Sequence, residues 1–175
     1  MAHLANPHVG PMGPGRLPTA RHASPPPPPA GCDPDAMVLP DGFAACGLDG
    51  RPDNAGQARR FVGRTLDQWA LPDLVADTKL VVSELVTNAV RHAVEPLRPH
   101  VGPYPLWLGL FRYPSRLMCA VSDPSPAPPR QPLADASDVG GRGLLLIGSL
   151  SDSWSWETTA PQGKTVWAAM HLPAT

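Results

Sequence analysis

What this sequence has little of narrows the field first. Its three cysteines, Cys32, Cys46 and Cys119, are an odd number and lie far apart. They suit neither a disulfide frame nor a zinc site, and fit reduced thiols in the cytoplasm. Cys119 lies in an apolar run and reads as a small core residue. There is no excess of positive charge: the net charge is −1 and the pI is near 6.6, so nucleic acid is not favoured as a partner. No apolar run approaches the ~20 residues of a membrane span. The N-terminus lacks a charged segment followed by an apolar block, so no secretory leader is expected. No internal repeat is present. What remains at 175 residues is one domain with a tail, or at most two small domains.

Proline is abundant and unevenly placed. Of 25 prolines, 11 fall between Met1 and Pro40, including the run Pro25–Pro29, among few large apolar residues. Such a segment buries too little surface to offset its ordering entropy. It reads as a disordered tail over residues 1–40 with a stiff polyproline piece, or as a ligand for a proline-binding groove. The folded domain is then residues 41–175.

Within that domain, Phe43–Leu48 is short and apolar enough for a first strand. Asp53 or Asn54 can cap a helix over Ala55–Trp69, whose apolar face is Ala58, Phe61, Val62, Leu66 and Trp69. A second helix, Asp73–Val94, follows a very short link, so the two should pack as neighbours. Pro72 suits its first turn and Pro96 stops it. Leu106–Tyr113 and Arg116–Ser122 read as a hairpin around Pro114–Ser115. Asp123–Asp138 has no periodicity and is crowded with proline; a structureless loop of that length is usually functional. Leu144–Leu150 reads as a short buried helix, and Trp154–Thr158 and Thr165–Leu172 as two more strands. Helices set apart from hairpin-connected strands predict an α+β two-layer sandwich: a mixed, mainly antiparallel sheet with helices on one face.

Two groups of residues carry chemistry. Glu84, Asn88 and His92 follow one another at intervals of four, which puts an acid, an amide and an imidazole on one face of the second helix. An Asn carbonyl oxygen is a hard ligand suited to Mg²⁺, and Glu can orient or deprotonate a hydroxyl. The same row also describes the polar edge of an ordinary amphipathic helix. Asp123 ends a strand, where a carboxylate can accept from an exocyclic amine such as adenine's. Gly140, Gly141 and Gly143 precede a helix, where backbone can approach a phosphate. Taken singly, the glycines could be a hinge and Asp123 a turn former.

In order, ELVTNAVRHA (Glu84–Ala93), VSDPS (Val121–Ser125), GGRGLLLI (Gly140–Ile147) and GKTVW (Gly163–Trp167) resemble the Bergerat-fold ATPases, the superfamily of gyrase and the histidine kinases. Within it the chain is most similar to small actinobacterial anti-sigma regulatory proteins with a histidine-kinase-like ATPase domain, over roughly Phe43 to Leu172. The resemblance implies ATP and Mg²⁺ as ligands. Asn88 would be the Mg²⁺ ligand, Glu84 the general base, Asp123 the reader of the adenine amine, and Gly141 and Gly143 the glycine box by the phosphates. Thr165 would be the threonine near that Asp, with His92 and Arg142 as phosphate neighbours; His92 is equally a helix-end histidine held by a hydrogen bond. Pro124–Val139 would be the lid. Ser125 and Ala127 stand where many superfamily members carry glycine, so the lid should be stiffer. The resemblance further implies a serine/threonine kinase acting on an anti-anti-sigma protein, a sigma factor as second partner, and a homodimer. The alternative is a nucleotide-binding or nucleotide-independent interaction module without turnover. No dimer helix or phosphoacceptor domain is read ahead of the ATPase region, which leads away from a sensor histidine kinase.

Overall fold

Alternating apolar residues build strands and i, i+3, i+4 apolar residues build helices, and here both periods point into one interior. The computed structural model describes residues 39–97, 101–129, 143–159 and 163–172. All of the expected tail but Leu39 and Pro40 lies outside the described residues, as do the lid from residue 130 onward, Gly140, Gly141 and Arg142.

The chain runs β1 (Gly42–Leu48), α1 (Asn54–Gln68), α2 (Val75–Ala89), β2 (Leu106–Arg112), β3 (Arg116–Asp123), α3 (Gly143–Leu150), β4 (Ser153–Thr158) and β5 (Lys164–His171). The five strands form one sheet in the order β1-β2-β3-β5-β4. The sheet was expected to be mixed, yet every pairing among the described strands is antiparallel. Short hairpin links account for β2–β3 and β4–β5, since they are too short for a parallel crossover.

The helices cover one face. Leu106, Leu108 and Leu110 of β2, Leu117, Cys119 and Val121 of β3, and Val166, Ala168 and Met170 of β5 belong to the core they cover. From the helices come Val62 and Leu66, then Val81, Val82, Leu85 and Val86, then Leu144 and Ile147. The two neighbouring helices pack together as expected, and Arg59 of α1 donates to Ser83 Oγ of α2 at 3.1 Å. Cys119 is fully buried, and burial pushes its thiol up to about 12. The intervening residues Phe111, Met118, Ala120, Trp167 and Ala169 form, with Tyr113, a second apolar cluster on the opposite face.

Two helix ends differ from expectation. Neither Asp53 nor Asn54 caps α1 with its side chain. Asn54 is instead the first helical residue, buried, and donates to Asp49 at 2.9 Å and Gln57 at 3.1 Å. The long second helix is also not uniform. Pro72–Leu74 is a 3₁₀ turn, Val75–Ala89 is α-helical, Val90–Val94 is a π-turn, and Glu95–Leu97 is 3₁₀ again. Pro96 accounts for the widening: in an α-helix its ring would strike the carbonyl four residues back, and it has no N–H to close that bond.

Candidate functional site

The C-terminal half of α2, the ends of β3 and β5, and the start of α3 border one cleft. It is lined by Leu85, Asn88, Ala89 and His92 from the helical run, Val121 and Asp123 from β3, and Lys164 and Val166 from β5. Leu144 closes one side, and Ala127, Pro128 and Pro129 close another. The space is about 550 Å³, part of it open to solvent.

Strand alternation decides which side chains reach this space. In β3, Val121 and Asp123 share a face with the helices, and Ser122 points away. In β5, Lys164 and Val166 do the same, because Asp123 pairs with Lys164 and Ser122 with Thr165. Thr165, expected beside the nucleotide, therefore lies on the other face, where its hydroxyl is 2.7 Å from that of Ser122. The residue one position earlier, Lys164, faces the cleft in its place. Reading β5 by its threonine missed it.

Asp123 and Lys164 form a buried ion pair, with side chains 2% and 7% exposed. The Lys164 ammonium stands 2.9 Å from Oδ1 and 2.8 Å from Oδ2 of Asp123, and donates to the Ser125 carbonyl at 3.3 Å. Burial pushes the Asp123 carboxyl above its usual range, and the Lys164 ammonium and the Ser125 N–H oppose that rise. The Ser125 N–H donates to Asp123 Oδ1 at 2.9 Å, and the Ala127 N–H to Ser125 Oγ at 3.3 Å. Two successive side-chain turns thus shape the segment where glycines were missed, and prolines at 124, 126, 128 and 129 stiffen it further.

Glycine permits a close approach at two points. Gly163 has φ +137°, and a Cβ there would meet the Asp123 carbonyl oxygen at 2.5 Å. Gly143 opens α3 against α2, where a Cβ would stand 2.6 Å from Glu84 Oε2 and 3.4 Å from Asn88 Nδ2. The structure therefore brings Glu84, Asn88 and Gly143 together on one side of the cleft and Asp123 with Lys164 on the other. His92 lines the cleft from the π-turn. Gly141 and Arg142 lie outside the described residues. Among the described residues, no cluster of three His, Cys, Asp or Glu side chains could hold a metal ion.

Comparison with known proteins bears on the family and the fold. A family model described as histidine kinase-like ATPase domain matches residues 48–170. The fold is similar to that in the crystal structure of the RsbU and RsbW domains of Rv1364c from Mycobacterium tuberculosis, with a TM-score of 0.55 and 17% identity. That likeness covers 76% of this chain and 34% of the other, so the match spans about a third of that structure's chain. No curated protein matches the sequence.

Proposed function

Because the chain belongs to the histidine kinase-like ATPase domain family, we propose that its cleft binds ATP with Mg²⁺, and that it is an anti-sigma regulatory serine/threonine kinase. Its acceptor would be a serine of an anti-anti-sigma protein, and its second partner a sigma factor. The convergence of Asn88, His92 and Asp123 on one cleft carries the reading. The order of the four motifs supports the choice of branch.

The residues fit the ligands. Asp123 Oδ1 already accepts from Ser125 and Lys164, whereas Oδ2 has only Lys164 among the described residues, which leaves a lone pair for an exocyclic amine. Val121, Val166, Leu85 and Leu144 supply apolar walls for a base. Gly143 lets α3 begin hard against Glu84, and its first N–H groups have no partner within the helix. The Asn88 carbonyl oxygen would hold the metal; Mg²⁺ is commonly held by one or two protein groups, with phosphates and water completing its shell. Bound there, the ion would neutralise charge on the phosphates. Glu84 would take the proton of the serine hydroxyl and orient it, a contribution of about 10²–10⁴ in rate.

A second reading has one observation behind it. The segment from Pro124 to Pro129 is set by two side-chain turns and four prolines, a stiff start for a lid that must open and close. On that reading nucleotide binds as a switch without turnover. Incubation of the purified protein with γ-labelled ATP and anti-anti-sigma proteins encoded beside it separates the two. Label on a partner serine supports the kinase. ATP bound with no transfer supports the switch, and absence of ATP binding removes both.

A further inference from the structure

We propose that Lys164 is a positioning residue of the nucleotide site, one that holds the Asp123 carboxylate ionised and turned so that Oδ2 keeps a lone pair for the base. The proposal rests on the nucleotide reading above and extends it to a residue that the motif reading passed over.

The geometry is that of a clamp. One ammonium reaches both oxygens of Asp123 and the carbonyl of Ser125, two residues on, so it fixes the carboxylate and the turn that follows it together. The Ser125 N–H closes the ring from the other side onto Oδ1. Gly163 lets β5 come close enough for this, since any Cβ there would strike the Asp123 carbonyl. A buried carboxylate without a partner takes up a proton rather than stay charged. As a neutral acid, one of its oxygens becomes a donor and clashes with an amine donor on the base. The cation thus keeps both oxygens of a buried aspartate as acceptors at neutral pH. Among the described residues, the other titratable group lining the cleft is His92, from the π-turn; Glu84 lies beside Gly143.

Removing the cation has consequences of opposite sign. In Lys164→Met the Asp123 carboxyl titrates higher than in the wild type. An acid whose folded-state pKa lies above its unfolded value stabilises the fold below the unfolded value, and that contribution is lost as pH rises through the folded one. The ligand-free variant should therefore lose thermal stability relative to wild type as pH rises from the acid range through neutrality. Over the same window its ATP affinity should rise relative to wild type, because the ionised form accepts with both oxygens whereas the acid turns one of them into a donor.

The test is calorimetric titration with ATP and Mg²⁺, alongside thermal melts, across that window for wild type, Lys164→Met, Lys164→Arg and the Asp123→Asn/Lys164→Met pair. His92 can titrate here too, so the quantity read is the difference between each variant and wild type. Lys164→Met should bind about tenfold more weakly near neutral pH, a difference of about 1.4 kcal/mol. That deficit should shrink as pH rises. Lys164→Arg keeps a cation and should show no such pH-dependent difference. Should Lys164→Met not fold, the double variant carries no buried charge, and its affinity should be low with no added pH dependence. Wild-type affinity in Lys164→Met or in the pair, with wild type binding ATP, would overturn the proposal and leave the nucleotide reading standing. A wild type that binds no ATP would overturn both.

Discussion

Gly143 is where a single hydrogen atom decides the chemistry. A methyl group there would meet Glu84 Oε2, the end of a flexible side chain, rather than backbone. Gly143→Ala should therefore swing Glu84 aside and leave the fold intact. Phosphoryl transfer is expected to fall by about 10²-fold, the low end of a general base's contribution, while the melting midpoint moves by less than ~4 °C. Transfer assays beside thermal melts check both. If Asn88 holds Mg²⁺ as proposed, Asn88→Ala removes a contact to a charged centre worth roughly 1.5–3 kcal/mol, and Mg²⁺-dependent ATP affinity should drop by about 10- to 100-fold. Affinity measured with EDTA in place of Mg²⁺ should change little. Both residues were legible as residues: the i, i+4 row showed Asn88 beside Glu84, and a glycine before a helix marked a close approach. Lys164 was not legible. Trp167 and Ala169 are as apolar as Val166 and Ala168, because β5 is buried on both faces, so alternation along the strand gave no sign of which face met the cleft.

Elements carried the strongest sequence signal. Order and type of the helices and strands follow from periodicity, with boundaries within about two residues except in the second helix, where α-helical geometry ends at Ala89 rather than Val94. The exceptions arise where a side chain has a tertiary partner. Asn54 is drawn into α1 because Asp49 and Gln57 take its amide, which no local rule for caps contains. The π-turn at Val90–Val94 is a response to Pro96, and it sets how His92 is turned relative to Asn88. Two predictions belong here. Leu108 of β2 is fully buried in the layer between sheet and helices, so Leu108→Ala should cost about 2–5 kcal/mol, read by urea denaturation. Gly163→Ala should destabilise by roughly 1–3 kcal/mol from its φ alone, with more from the clash with the Asp123 carbonyl. ATP affinity should fall with it, because that contact brings β5 up to Asp123.

At the scale of the whole molecule, the layered design explains the place of the site. Three helices lie over an antiparallel sheet, and the cleft opens where α2 and α3 meet the ends of β3 and β5. Asp123 and Asn88 stand on different layers, so a ligand that touches both bridges sheet and helix. No helix among the described residues is long and apolar enough to cross a membrane. The same apolar walls that finish the core under Leu85 and Val166 serve as walls of the cleft, which ties nucleotide binding to the folded state. Saturating ATP at about 100 times its dissociation constant should then stabilise the fold by about 2.7 kcal/mol.

The most direct measurement is a calorimetric titration of the full chain with ATP, with and without Mg²⁺, set beside Asp123→Asn and Asn88→Ala. One site per chain, strengthened by Mg²⁺ and weakened in both variants, is the expected result. Heat no different from dilution at millimolar ATP, or wild-type affinity in both variants, would contradict a nucleotide site between the helix layer and the sheet.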